Sequence, residues 1–262
     1  MRETLDEKAL REKLIKLAGG DKNYAQFSTK IAVTKQRVLG VRMPALRAFA
    51  KNLAREIDEF SDVKNLLNLI DDKIFEEVLT AGLVIFYAQN LTVDEKISLT
   101  KIYLAKVDSW GQIDTFVQNF AKEKFAKNND LGPLNKSEDD KLIREKYWDF
   151  ALENLRSNEE FLVRYGAMVM FENFLNDEKI REVLAAFREI KCDKYYAKMA
   201  VAWTYEKAAE SFYNLILREM SDAKIDAWTR RKALTKMLES RKFSAAQKVE
   251  IRELRGKIKG EK

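Results

Sequence analysis

The sequence predicts an all-α fold, and three observations carry the prediction. Two prolines and nine glycines in 262 residues leave few positions that would interrupt a helix. Apolar residues recur at helical spacing, as in Leu10, Leu14 and Leu17. Helix-capping patterns then divide the chain into about a dozen segments of ordinary helix length, roughly 10 to 18 residues each.

Helix starts are marked by capping boxes, in which a Ser or Thr and a Glu or Gln three residues later bond each other's backbone N–H groups. Three pairs fit this pattern: Thr92 with Glu95, Ser157 with Glu160, and Ser244 with Gln247. Pro44 suits the first turn of a further helix, where its missing N–H costs nothing.

The predicted helices follow one another in pairs with short polar joints, as in 73–89 with 94–106 and 158–174 with 177–190. Such pairing is typical of a HEAT-like helical-repeat solenoid. No strict sequence repeat is visible, so this interpretation depends on helix count and length. The one long joint, 127–139, contains NNDLGP and is interpreted as a loop within the array. We therefore expect one solenoid domain over residues 1–262.

Composition removes several classes of function. The chain has no histidine, so the usual general acid or base and the commonest metal ligand are both missing, and we expect neither a metal nor a cofactor. Cys192 is alone and cannot form an internal disulfide. The charged N-terminus does not resemble a secretory signal, and the longest apolar run, 81–88, falls far short of the ~20 residues that span a bilayer. These features predict a reduced, cytoplasmic protein without membrane segments.

The basic excess lies near the C-terminus. Residues 223–262 contain 13 Lys and Arg against 5 Asp and Glu, whereas the whole chain has a net charge of +6. A basic tract such as Arg230, Arg231 and Lys232 can neutralise phosphates if it lies on one face of a solenoid. The alternative is a solvated helix surface, because Lys and Arg also keep helices soluble.

The segment DSWGQID at 108–114 is a candidate functional site. A helix that starts there places Trp110 and Asp114 one turn apart, and an aromatic wall beside a carboxylate suits a cation. Trp110 also extends an apolar stripe with Ile113, Val117 and Phe120, so a core position is the alternative. Asp114 borders this stripe and needs hydrogen bonds or a cation to stay charged there, unless the stripe is narrow and the residue is exposed.

Two predicted helices are apolar except for one cation each, Arg164 in 161–171 and Lys198 in 195–205. Helices of this composition are buried. A buried guanidinium needs an anion, and both an internal salt bridge and a phosphate are open as partners of Arg164. Trp203 lies in line with Tyr196 and Met199, a pattern that is also typical of a core.

Four motifs occur in order along the chain: LGVRMPALR at 39–47, Ser109-Trp110 with Asp114, FLVR at 161–164, and KMAVAW at 198–203. Together they resemble the HEAT-like-repeat alkylpurine DNA glycosylases, and among them the AlkD branch. The resemblance extends from about Val38 to about Leu238. The combination of four ordered motifs is more specific than any one of them.

The resemblance implies a right-handed α-helical solenoid whose concave basic face holds duplex DNA with an N-alkylated base. Trp110 and Trp203 would contact the lesion nucleotide, Asp114 would be the catalytic carboxylate, and Arg164 would grip the DNA backbone near the lesion. The further residues expected to bind DNA are Arg42, Lys198, Arg230, Arg231 and Lys232.

The implied activity is that of a monofunctional DNA glycosylase of base excision repair, which hydrolyses the glycosidic bond of N3- or N7-alkylated purines without flipping the base. An alkylated purine is positively charged and leaves as a neutral base, so the reaction needs no strong general acid and tolerates the absence of histidine. It does need a carboxylate to stabilise the charge that builds on the sugar. Double-stranded DNA that contains alkylated purines is the expected partner, and the protein is expected to be a monomer.

Two departures from the family pattern stand out. Gly111 follows Trp110, and glycine in a first helical turn is expected to loosen the geometry. The stretch 31–39 has no aromatic residue, although the family commonly places a tyrosine there.

The competing hypothesis is a catalytically weak or inactive HEAT-like protein that binds DNA or serves as a protein-interaction scaffold. The scaffold version requires both Trp110 and Trp203 to be buried.

Overall fold

The structure is a computed structural model that describes residues 6–124 and 138–258, without the side chains of 119–124 and 138–140. These residues form thirteen α-helices, and their β-type pairing is a single bridge between Arg37 and Ile74. The all-α prediction is confirmed, and packed helix pairs agree with a helical repeat. The helices are α1 (Glu7–Ala18), α2 (Lys22–Ala32), α3 (Met43–Glu56), α4 (Phe60–Leu69), α5 (Phe75–Tyr87), α6 (Val93–Leu104), α7 (Trp110–Lys124), α8 (Glu138–Leu155), α9 (Glu160–Asn173), α10 (Ile180–Arg188), α11 (Tyr195–Ser221), α12 (Ala227–Glu239) and α13 (Ala245–Lys257).

The chain divides into two compact units, Met1–Lys146 and Tyr147–Lys262, and the division falls within α8. The predicted loop at 127–139 lies outside the described residues, apart from the first positions of α8. None of the helices in the described ranges is long and apolar enough to cross a membrane.

In the first unit α5 is the central helix, because α1, α3, α4, α6 and α7 all pack against it. Residues 76–86 are buried without interruption. The buried Glu77 carboxylate accepts a hydrogen bond from Arg11 Nε at 2.6 Å, which ties α1 to α5. This bond raises the pKa of the Arg11 guanidinium and supplies the partner that a buried carboxylate requires.

In the second unit α11 is central and packs against α9, α10, α12 and α13. Residues 163–170 of α9 are all buried, which confirms the burial predicted for the Arg164 helix. Gly166 allows α8 and α9 to approach closely, since a Cβ there would lie 2.7 Å from the Ala151 carbonyl oxygen. At 27 residues α11 is longer than the sequence predicts, and it is interrupted at Phe212, whose φ of −121° and ψ of 41° are not helical.

The capping predictions are confirmed at two of three boxes, those of Thr92 and Ser244, and Pro44 lies in the first turn of α3. The box predicted at Ser157 and Glu160 is wrong, because α9 begins at Glu160. The Ser157 hydroxyl accepts a bond from the Glu159 N–H at 3.0 Å. The Glu160 carboxylate instead accepts from the Tyr196 N–H in the first turn of α11, at 2.6 Å.

Candidate functional site

Helix α7 begins at Trp110, as the sequence predicts, so Trp110 and Asp114 lie one turn apart. The Trp110 side chain is partly exposed, whereas Asp114 is only 7% exposed. Ile113 and Val117 of the predicted apolar stripe are completely buried. The side chain of Phe120 lies outside the described residues. Asp114 is therefore a nearly buried carboxylate beside a partly accessible indole.

The first turn of α7 is bonded to the end of α2. Trp110 Nε1 donates to the Ile31 carbonyl oxygen at 3.0 Å, and Ser109 Oγ donates to the Ala32 carbonyl oxygen at 2.5 Å. The next residue, Val33, has a left-handed backbone with φ of +48°, a conformation that is strained for a β-branched side chain. The indole is thus fixed by its own N–H group rather than by packing alone.

Gln112 is the buried hydrogen-bonding centre beneath this turn. Its Nε2 donates to Gln36 Oε1 at 2.7 Å and to the Phe75 carbonyl oxygen at 3.3 Å, while its Oε1 accepts from the Asp108 N–H at 3.2 Å. The Asp108 carboxylate in turn accepts from the Thr34 hydroxyl. Gln112 is not among the site residues predicted from the sequence. Its sequence signal is weak, because Asp108, Ser109 and Thr115, one turn before or after it, are also polar, and the sequence does not reveal its partners.

Hydrogen bonds fix the first turn of α7 even though it contains Gly111. The Gly111 N–H donates to Ser109 Oγ at 3.2 Å, and a Cβ at Gly111 would lie 3.7 Å from the same oxygen and 4.0 Å from Phe75 Cζ. These are ordinary van der Waals distances. The hydrogen bonds of Ser109, Trp110 and Gln112 supply the rigidity that a glycine does not.

The LGVR segment is held by one buried carboxylate. Glu76 accepts hydrogen bonds from the backbone N–H groups of Leu39 at 2.8 Å, Gly40 at 2.7 Å and Val41 at 3.2 Å. Gly40 has φ of +86°, and a Cβ there would lie 2.8 Å from Ala25 Cβ. Glycine is therefore required at this position both by its backbone conformation and by the close approach of α2.

Arg42 follows this segment and is exposed at the start of α3. Its guanidinium lies 3.1 Å from Asp21 and 4.3 Å from the centroid of the Tyr24 ring. Tyr24 and Phe27 are aromatic residues of α2, and Phe27 is exposed one turn before Ile31, whose carbonyl bonds Trp110. Aromatic residues therefore occur in α2, just before the stretch 31–39 in which none is found. Tyr24, Phe27 and Ile31 have i, i+3 and i+7 spacing, which indicates from sequence alone that they share one face of a helix.

In the second unit Arg164 lies beside Trp203. Arg164 is 1% exposed, its Nη1 donates to the Tyr196 carbonyl oxygen at 3.0 Å, and its guanidinium carbon is 5.4 Å from the centroid of the Trp203 ring. Trp203 itself is partly exposed. Arg164 therefore has internal partners, and its contact with DNA stays a prediction.

Lys198 joins α11 to the start of α12. Its Nζ lies 2.7 Å from Asp226 and 5.0 Å from the centroid of the Trp228 ring. Burial alone would raise the pKa of Asp226, but hydrogen bonds from Lys198 and Thr229 outweigh it and lower that pKa. The Asp226 carboxylate also caps α12 by accepting from the Thr229 N–H at 3.1 Å.

The basic tract of α12 splits into different environments. Arg230 is half-buried and donates to the Met220 carbonyl oxygen at 3.4 Å. Arg231 donates to the Ile258 carbonyl oxygen at 2.7 Å, at the end of α13. Lys232 is half-buried. Arg231 thus hydrogen-bonds a carbonyl group at the C-terminal end of α13, so this predicted DNA-binding cation also has a structural role.

The predicted residues form three groups. Trp110 is next to Asp114 in the first unit, and in the second unit Arg164 contacts Trp203 while Lys198 contacts the start of α12. Both candidate tryptophans are partly exposed. The scaffold interpretation requires both indoles to be buried, so it does not predict this exposure.

The fold and these groups define a class, a helical-repeat protein with partly exposed tryptophans, one beside a nearly buried carboxylate and the other beside a buried guanidinium. A family model described as DNA alkylation repair enzyme matches residues 10–237. The chain belongs to this family, which gives it a role in DNA alkylation repair. Searches of curated proteins and of solved structures found no significant match.

Proposed function

We propose that the protein is a monofunctional alkylpurine DNA glycosylase of base excision repair, which hydrolyses the glycosidic bond of N3- or N7-alkylated purines in duplex DNA. The observation that carries the proposal is the position of Asp114, 7% exposed and one turn after the partly exposed Trp110, in a chain of the DNA alkylation repair enzyme family. A carboxylate in this setting suits a reaction that creates positive charge.

The chemistry fits a chain without histidine. A purine alkylated at N3 or N7 carries a positive charge, and breaking its glycosidic bond releases a neutral base. Protonation of the leaving group is therefore unnecessary, and the absence of an imidazole removes nothing that the reaction requires. The energetic demand falls on the deoxyribose, which becomes positively charged as the base departs.

In our proposal, Asp114 stabilises the positive charge that builds on the deoxyribose. Its nearly complete burial lowers the local dielectric constant, and the same Coulomb attraction is then stronger than in water. A carboxylate held in place before the reaction stabilises the oxocarbenium-like transition state without reorganising. The same oxygen atoms can orient the water that attacks the sugar.

Trp110 and Trp203 would supply aromatic surface to the cationic nucleotide. Such an interaction stabilises a cation by about 0.5 to 2 kcal/mol, and it favours an alkylated purine over a neutral one. Trp110 is held by Ile31, and Arg164 lies against the Trp203 ring, so we assign Arg164 a positioning role toward Trp203 in addition to its predicted contact with DNA.

We assign the binding of the DNA backbone to the predicted cations. These are Arg42, Lys198, Arg230, Arg231 and Lys232, of which Arg42 and Arg231 are exposed. If they contact phosphates, affinity for duplex DNA falls steeply with added salt, because each contact releases counterions. Salt-independent binding would contradict this assignment.

The decisive experiment compares the wild type with Asp114→Asn on methylated duplex DNA and measures free 7-methylguanine and 3-methyladenine under single-turnover conditions. We expect the substitution to slow release by about 100-fold, the size of effect seen when one electrostatic group is removed from an active site. Asp72→Asn is the matched control, because Asp72 is an exposed carboxylate of the same unit. Asp72→Asn should release both bases at the wild-type rate.

Each other outcome has a defined meaning. Release by wild type that does not exceed spontaneous depurination contradicts a glycosylase, and if methylated duplex is still bound, the protein is a non-catalytic DNA-binding member of the family. Equal release by wild type and Asp114→Asn removes Asp114 from the mechanism. A 2-aminopurine beside the lesion should stay quenched on binding, because we propose that the base is not flipped out of the stack.

A further inference from the structure

The second unit exposes an aromatic pair that the proposed reaction does not use. Tyr195 is the first residue of α11 and is 54% exposed, and Trp228 is the second residue of α12 and is 36% exposed. Their ring centroids are 5.8 Å apart with an interplanar angle of 69°. Tyr195 also contacts the Tyr196 ring edge to face, with centroids 5.1 Å apart. The exposure of Tyr195 and Trp228 nevertheless shows that the pair keeps aromatic surface open to solvent.

The charges around the pair favour a polyanion. Residues 191–199 and 226–232 contain six Lys and Arg against two Asp. Glu159 and Glu160 contact the first turn of α11 through Lys194 and the Tyr196 N–H, which brings the carboxylates to four. Cations still predominate, and Lys198 lies 5.0 Å from the centroid of the Trp228 ring.

The composition of the exposed surface argues against a protein partner. Among the described residues of the second unit, the exposed large apolar side chains are Tyr195, Trp228 and Val249, and Val249 belongs to α13. The exposed apolar surface here is therefore confined to the two rings of the pair, without the larger contiguous apolar patch that marks a protein-interaction site. Aromatic rings among cations are instead the features of a surface that stacks nucleobases and attracts phosphates.

We propose that the Tyr195–Trp228 pair binds an unpaired nucleobase of DNA by stacking. A base within a duplex has both faces covered by its neighbours, so only a base outside the stack can present a face to these rings. The pair thus recognises single-stranded or frayed DNA next to the duplex on which the glycosylase acts. This inference rests on the proposed function only in assuming that the chain binds DNA.

The test compares two labelled single strands of equal length and charge, an oligothymidylate and an oligomer whose sugars carry no bases, by fluorescence anisotropy at fixed salt. Because stacking on an aromatic side chain favours a base strongly, wild type should bind the oligothymidylate about 10-fold more tightly than the abasic strand. Trp228→Ala and Tyr195→Ala should bring this ratio close to one and leave abasic binding unchanged. Trp228→Phe should keep most of the preference.

Val249→Ala is the matched control, because it removes exposed apolar surface without an aromatic ring, and it should keep the wild-type ratio. The inference is overturned by a wild-type ratio of one, by a ratio that Trp228→Ala and Tyr195→Ala leave unchanged, or by self-association that depends on Trp228. If Trp228→Ala does not fold, Trp228→Phe and Tyr195→Ala decide the outcome. Release of 7-methylguanine from duplex DNA, measured in parallel, tests the proposed function separately, since failure of the pair leaves release intact.

Discussion

Replacement of Gly40 by alanine tests whether the close approach of α2 to the LGVR segment is as tight as the structure shows. The backbone at Gly40 has φ of +86°, and a left-handed conformation costs an L-residue roughly 1 to 2 kcal/mol. The new Cβ would also lie 2.8 Å from Ala25 Cβ and 2.9 Å from Ala25 Cα. Crowding against backbone adds about 1 to 3 kcal/mol, so we expect Gly40→Ala to lower the free energy of unfolding by about 2 to 5 kcal/mol.

Gly20→Ala provides the matched control for the backbone part of this cost. Gly20 also has a positive φ, of +72°, but a Cβ there meets nothing within 4 Å. It should therefore lose only the conformational part, about 1 to 2 kcal/mol. Chemical denaturation followed by far-ultraviolet circular dichroism measures both variants against wild type. If Gly40→Ala is no more destabilised than Gly20→Ala, the steric argument for the LGVR segment is refuted.

Three further predictions concern stability. Gly111→Ala should raise the free energy of unfolding by about 0.5 to 1 kcal/mol, because its Cβ meets only ordinary contacts and alanine favours helix, and a lower denaturation midpoint would contradict this. Val33→Asn should stabilise the protein by about 1 kcal/mol in the same assay, since asparagine tolerates the left-handed backbone, and an unchanged midpoint would show that Val33 is not strained. The pKa of Asp226 is below its ordinary value of 3.8, so its carboxylate stabilises the fold above that pH and this contribution is lost as the pH falls through the lowered pKa. Lys198→Met removes a hydrogen bond that lowers the pKa of Asp226. The variant should therefore have a lower free energy of unfolding than wild type at neutral pH, and this difference should shrink in acid. A difference that does not depend on pH would contradict the Asp226 assignment.

Local sequence patterns predicted the structure correctly where both partners of an interaction lie within one helix. The Thr92 and Ser244 boxes, the start of α3 near Pro44 and the start of α7 at Trp110 are all confirmed. The burial of α9 also follows from its composition, because a helix that is apolar all round has no side to expose.

Interactions between distant segments could not be predicted. The Ser157 box failed because Glu160 bonds a residue of α11 thirty-six positions away instead of its own helix. Gln112 and Glu76 are similar cases, since Gln112 bonds Gln36 and Phe75, and Glu76 bonds the LGV backbone, across more than thirty residues of sequence. The interruption of α11 at Phe212 has no proline or glycine beside it and left no pattern to detect.

The bond from Trp110 to Ile31 limits how this tryptophan can recognise any ligand. An indole has one polar hydrogen and no acceptor, and in this structure that hydrogen is already given to the Ile31 carbonyl oxygen. Trp110 has no donor left with which to read the edge of a base. It can contribute only through the surface and the quadrupole of its ring, which do not distinguish adenine from guanine. If the protein excises alkylated purines as proposed, any preference between the two bases comes from other residues or from the different lability of the two lesions.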